Sequence, residues 1–277
     1  MADKNQWLID LYDDSDLWVD ELDCLPVMIS YPYRQLKSFA ADGQVYGIML
    51  QCKDLFESLM KVPVLMSLMT IDANPNHQDQ QAYHDLMRKL LGSTLSMGSW
   101  DELAMLIIKH GNVLAVPEVL VSILRKTRRL YANPMNGESS NIINWRNNTI
   151  GHGALRFEDD SSYQQEVKEL LEILKQYFDG NKKFSIKGLY ENVYLVLDGK
   201  KLIGSADYFW KPESELKLMV DNKEISCINY IYSRELKGFL FETYFSRRQV
   251  LKYTSYTDGK SETEKNDPSH ISVGKNL

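Results

Sequence analysis

The chain has 277 residues and a mass of 32.1 kDa, with 44% hydrophobic and 25% charged residues, a net charge of −6 and three cysteines. The apolar fraction excludes wholesale disorder, and no run of about 18 apolar residues is present to form a membrane-spanning helix. Cys24, Cys52 and Cys227 are odd in number and lack C-x-x-C spacing, which argues against a disulfide framework or a thiolate zinc site and for a reducing, cytoplasmic setting. The stretch Met1-Ala2-Asp3-Lys4 leads into acidic rather than apolar residues, so no secretory signal is expected. A pI near 5.5 argues against nonspecific coating of nucleic acid but leaves a local basic patch open.

Residues up to about Phe178 read mostly as helix. From Ala41 to Leu59, Val45, Ile48, Met49, Cys52, Leu55, Phe56 and Leu59 recur at helical spacing, and Pro63 is expected to kink or end that helix. Ala82 to Leu91 reads as a short amphipathic helix. Ser99-x-x-Glu102 has the form of a capping box opening a helix over Asp101 to Lys109, with Gly111 just beyond its end. Pro117 suits the first turn of a helix running to about Tyr131. The stretch Asn133-Pro134-Met135-Asn136-Gly137 is a turn-rich loop, and Asn141 to about Leu155 is apolar enough to pack. Ser162-x-x-Gln165 caps a last helix with Val167, Leu170, Leu171, Leu174 and Phe178 on one stripe and Gly180 beyond.

After Asn181 the period changes to that of strands. Val193 to Gly204 surrounds Asp198-Gly199, a strong hairpin signal. Leu216–Val220 and Ile225–Tyr232 flank Asp221-Asn222, and Phe239–Phe245 and Val250–Tyr256 flank Ser246-Arg247-Arg248. These predict a small antiparallel sheet or barrel of meander type over 181–257, followed by a polar tail or linker over 258–277. The expected fold class is therefore α+β: a helical bundle over 1–180, with an acidic segment over 1–25, then an antiparallel β domain. Charge follows the same division. Residues 1–180 hold 16 Lys and Arg against 25 Asp and Glu, whereas 181–277 hold 16 against 13. Much of the acidic excess lies in Asp10, Asp13, Asp14, Asp16, Asp20, Glu21 and Asp23, which reads either as a solvated segment or as a docking surface for a basic partner.

The stretch that could carry chemistry is Trp145-Arg146-Asn147-Asn148-Thr149-Ile150-Gly151-His152-Gly153. Arg is always charged and grips phosphate oxygens bidentately; His titrates near neutrality and can take or give a proton. Asn148, four residues before His152, would share its face on a helix and could fix its tautomer. The two glycines remove side chains beside the His and let a substrate backbone approach. Six residues along an α-helix rise about 9 Å and turn by roughly 120°, so Arg146 and His152 of one chain would not fully converge.

Arg146-Asn147 followed by Gly151-His152-Gly153, late in a helical bundle, resembles the signature of the HEPN superfamily: an Arg, a polar residue, and a His after a short interval. Asp54-Leu55-Phe56-Glu57-Ser58-Leu59-Met60-Lys61 is similar to the first long core helix of prokaryotic members. The resemblance covers about residues 40–178 and not the β part. It implies an all-helical bundle with the activity of a metal-independent endoribonuclease, set in a toxin or antiviral defence system. It implies a homodimer whose apposed motifs share one cleft, with Arg146 and His152 as catalytic pair and Asn147 orienting them. No cofactor or metal is implied, RNA is the expected partner, and products would carry 2′,3′-cyclic phosphate ends. An antitoxin or defence-system protein is a further expected partner, and no membrane is.

Other residues carry open alternatives. Arg125, Arg128 and Arg129, with Lys126 beside them, suit RNA phosphates or an ordinary solvated face. Asp54 and Glu57 could support the cleft or simply pair with Lys61. His84 and His110 read as capping or surface residues. The mix of Tyr244, Phe245, Arg247, Arg248, Lys252, Tyr253 and Tyr256 suits a single-strand stacking platform or simply strand composition. A catalytically silent HEPN scaffold that recruits a partner is the second reading of the whole chain. An accessory to a separate nucleotidyltransferase is the third.

Overall fold

The computed structural model describes residues 6–20, 22–74, 81–92, 95–133, 135, 141–151, 163–179, 185–205, 213–227, 230–233 and 238–241. Among these the fold is mainly helical with a small antiparallel sheet, an α+β architecture. The helices are α1 (Gln6–Asp13), α2 (Val27–Ala41), α3 (Val45–Asp72), α4 (Gln81–Gly92), α5 (Met97–His110), α6 (Glu118–Tyr131), α7 (Ile142–Arg146), α8 (Gln164–Asp179) and α9 (Ile186–Glu191). The strands are β1 (Val193–Leu197), β2 (Lys200–Lys201), β3 (Leu216–Val220), β4 (Lys223–Ser226), β5 (Tyr230–Ser233) and β6 (Gly238–Phe241). No helix is long and apolar enough to cross a membrane among the described residues.

The chain divides into two units, each assembled from separate stretches: 1–59, 125–191 and 203–205 in the first, and 60–124, 192–202 and 206–277 in the second. These units group residues by spatial proximity, whereas the cut near residue 180 follows local period and charge. Helices α4 and α5 belong with the strands, whereas α9 and a three-residue piece after β2 belong with the first helices. A change of period along a sequence marks a change of local structure, not the edge of a core.

In the first unit, α2 buries Val27, Ile29, Tyr33 and Leu36. Tyr33 packs edge-on against Trp18 and Phe178, and its hydroxyl accepts the Val19 N–H at 2.7 Å. The acidic N-terminal stretch is therefore part of this core. Its Asp side chains at 13, 14, 16 and 20 are exposed, while Leu17, Trp18 and Val19 are buried. Lys175 on α8 donates to the Trp18 carbonyl at 2.7 Å, and Lys187 donates to that of Asp20 at 2.8 Å. The piece after β2 docks here too. Ile203 bridges Pro26, the Gly204 N–H donates to the Leu25 carbonyl at 2.9 Å, and the Gly204 carbonyl accepts from Ser30 and Arg34. Gly204 has φ +61°, and a Cβ there would lie 2.9 Å from Asp23, so only glycine fits.

Pro63 does not end α3, which continues to Asp72. Val62, Val64, Met66, Leu68, Met69 and Ile71 are all buried around and beyond it. At about 1.5–3 kcal/mol each, that burial outweighs the roughly 3 kcal/mol a helix-interior proline costs. Helix α5 opens at Met97, four residues before the expected Asp101, because Ser96 rather than Ser99 is the cap: its hydroxyl accepts the Ser99 N–H at 3.3 Å. That start brings both Met97 and Trp100 into the core. Helix α9 lies between Asn181 and Val193, a stretch to which the sequence reading assigns no element of its own. Ile186 and Tyr190 bury one face, and the Ser185 hydroxyl accepts the Gly188 N–H at 3.0 Å.

In the second unit the sheet order is β2-β1-β3-β4. Two tight turns define it, Asp198-Gly199 and Asp221-Asn222, all four residues at positive φ as a type I′ hairpin requires. Register pairs Val193 with Val220, Leu195 with Leu218 and Leu197 with Leu216, so one face of β1 and β3 is buried. The expected antiparallel sheet is present, but among the described strands its order is not that of a meander: β3 pairs with β1 rather than with β2, and β5 and β6 form a separate two-stranded ladder. The single strand expected over Ile225–Tyr232 is split between β4 and β5. The expected strand over 250–256 and the tail lie outside the described residues.

Asp72, the last residue of α3, accepts a hydrogen bond from the Tyr230 hydroxyl at 2.6 Å. Burial pushes its carboxyl above the usual 3.8, the tyrosine only partly offsetting this. The folded chain thus holds that proton more tightly than the unfolded chain. The stability this contributes is full below pH 3.8 and is lost as pH rises through the raised value. Asp72→Asn keeps the acceptor without the charge. Thermal melts are expected to show the variant more stable than wild type at pH 7, with the gain shrinking as the pH is lowered toward 4; an equal or lower melting temperature at pH 7 would refute this.

Candidate functional site

The Arg146 motif lies in the first unit. Asn141 caps α7, its side chain accepting the Asn144 N–H at 3.0 Å, and Ile142 and Trp145 are buried. Residues Asn147–Gly151 continue as one π-helical turn. Over 142–151 the stretch read as apolar enough to pack is thus a short α-helix passing into a wider turn. The α-helical rise and rotation assumed between Arg146 and position 152 therefore do not apply. Such turns are uncommon and occur often at functional sites. His152 and Gly153 lie outside the described residues.

The Arg146 guanidinium is half-buried. Its Nη1 donates to the Asn147 side-chain Oδ1 at 3.0 Å. Its Nε–H is buried without a hydrogen-bond partner, and it makes no ion pair with a carboxylate among the described residues. An unmatched buried donor on a cation is costly, and few are found in native structures. Asn147 thus contacts Arg146 directly. Asn148 is exposed, and Thr149 is half-buried.

Glu166, in the first turn of α8, accepts a hydrogen bond from the Trp145 indole N–H and another from the Thr149 hydroxyl at 3.1 Å. Burial pushes its carboxyl above the usual 4.5, and the two donors only partly offset this. Trp145 packs against Phe56 of α3 at a centroid distance of 6.2 Å, and Tyr131, the last residue of α6, donates to the Phe56 carbonyl at 2.6 Å. Helices α3, α6, α7 and α8 therefore meet around Trp145. Glu166 and Thr149 were not among the residues singled out from sequence. The one local signal was the place of Glu166 beside Val167 at the edge of the buried stripe.

The supporting residues are placed unequally. Asp54 is exposed, pairs with Lys53 at 2.6 Å, and sits about 200° around α3 from Phe56, so it faces away from Trp145. Glu57 is half-buried on the same helix. On α6, Arg125 and Arg129 are exposed and Arg128 is half-buried, forming a basic ridge with Lys126. Burial first, then Arg129, pushes the Lys126 ammonium below its usual range. Thr127 points the other way, its hydroxyl 2.8 Å from that of Tyr177 on α8.

Burial raises all three thiols, Cys227 to about 12, so none is held as a thiolate nucleophile. Among the described residues no group of three or more His, Cys, Asp and Glu is placed to hold a metal ion. No protein-family model matches the chain, and no curated protein or solved structure matches it.

Proposed function

We propose that the chain is a metal-independent endoribonuclease of HEPN type, acting as a homodimer. The observation that carries this reading is Arg146. It is a half-buried guanidinium with no carboxylate partner among the described residues, held by Asn147 at the start of a π-turn that leads toward Gly151-His152-Gly153. A structural arginine would be expected to spend its charge on an acid; among the described residues this one pairs with none.

In the proposed reaction His152 takes the proton of the ribose 2′-hydroxyl. The 2′-oxygen bonds to phosphorus, the bond from phosphorus to the 5′-oxygen breaks, and the leaving oxygen receives a proton from the second chain's copy of the motif. Arg146 neutralises the charge that gathers on the phosphorane. The basic ridge of α6 would track the RNA backbone. A toxin or antiviral role, and an antitoxin or defence-system partner, follow from the HEPN resemblance alone.

The test is cleavage of RNA with EDTA present. Wild type is expected to cut, leaving 2′,3′-cyclic phosphate ends, while Arg146→Ala and His152→Ala are expected to fail. A strand with 2′-deoxyribose at the cut site is expected to survive. Cleavage that EDTA abolishes, that both variants retain, or that proceeds on the deoxy strand would overturn the proposal.

A further inference from the structure

We infer that Glu166 is a positioning residue: a clamp that fixes the turn bearing Arg146 and Asn147. The inference rests on the ribonuclease reading only for its effect on catalysis. One oxygen of Glu166 accepts both the Trp145 indole N–H and the Thr149 hydroxyl, so a single carboxylate joins the end of α7 to the π-turn. The residues between those two donors are Arg146, Asn147 and Asn148. Both anchors are stiff. Trp145 is 3% exposed with its ring against Phe56. Glu166 sits in the first turn of a 16-residue helix, where the peptide dipoles favour a negative charge.

A π-turn has no strong preference of its own, since the same residues could close as an α-turn; a tertiary contact must select it. The clamp is the contact that reaches both sides of this one. The burial that raises the Glu166 carboxyl fits the same role, because a carboxylate kept from water at such a cost is retained for what it holds. Arg146 itself has only the neighbouring Asn147 as a hydrogen-bond partner among the described residues. The placement of its guanidinium therefore depends on the backbone beneath it.

The test compares Glu166→Gln, Glu166→Ala and Thr149→Val in the full chain. Two resonances are read by NMR: the Trp145 indole N–H, assigned by its loss in Trp145→Phe, and the Arg146 Nε–H. Steady-state cleavage across a range of RNA concentrations is read beside them, giving kcat and KM. Glu166→Ala is expected to move both resonances and to lower kcat by about tenfold to 100-fold, the scale of a small misplacement, with KM little changed. Glu166→Gln keeps an amide oxygen as acceptor and is expected to recover most of that loss. Thr149→Val removes one arm and is expected to fall between, which keeps the inference testable if the Ala variant does not fold. Unmoved resonances in both Glu166→Ala and Thr149→Val would overturn it, as would a Gln variant no better than Ala. If the resonances move but wild type cleaves no RNA, the clamp stands and the ribonuclease reading falls.

Discussion

Arg146→Ala is expected to lower kcat for RNA cleavage by about 10²–10³-fold, the usual loss when one preorganised donor to a developing oxyanion is removed. His152→Ala is expected to lose about 10²–10⁴-fold, the range for an acid–base group. The Arg146 figure has a structural reason. Its guanidinium has a buried Nε–H with no partner, so binding a phosphorane oxygen displaces no competing ion pair among the described residues. Arg146→Lys is expected to recover only a small part of the loss. An ammonium carries the charge but cannot present two parallel N–H groups, nor keep the fork that meets Asn147 at 3.0 Å. Steady-state rates at saturating RNA check all three. A Lys variant as fast as wild type would show that charge alone matters and that the Asn147 contact is incidental.

Trp145→Ala is expected to destabilise the fold by about 3–5 kcal/mol, the range for truncating a large buried aromatic side chain. Two losses combine. The ring leaves a void against Phe56, and Glu166 loses one of the two donors that make its burial tolerable. Trp145→Phe keeps much of the packing but not the indole N–H, so it separates the two and is expected to cost less than half as much. Urea unfolding of both variants is the measurement. A cost below about 1 kcal/mol for the Ala variant would mean that the surrounding helices collapse into the space.

Much of the helical part was legible because burial repeats at the helical period. The stripe of α8, from Val167 to Phe178, is an example, and both hairpin turns announced themselves as Asp-Gly and Asp-Asn. What was misread depended on choices between near-equal local options. Ser96 and Ser99 can each cap α5, and only the burial of Met97 and Trp100 decides for the earlier one. Helix α9 is too short for a period to show. At the candidate site Arg146 and Asn147 were visible as residue types, but the turn that follows them was not, since nothing in Asn147–Gly151 distinguishes π from α closure. Glu166 was invisible for a different reason. Its role exists only through donors 17 and 21 residues earlier, and a contact of that span has no local spelling.

Gly204 also bears on the order in which the chain is made. Its carbonyl accepts from Ser30 and Arg34 of α2, and its N–H donates to the carbonyl of Leu25 just before that helix, some 170 residues earlier in the chain. At roughly 5–20 residues per second, a ribosome would deliver that glycine on the order of 10–40 s after α2 had been made. Throughout that interval the first unit is missing its last piece. The newborn chain must therefore wait with a helix end uncovered, and it is then that a chaperone or a wrong partner has its opening.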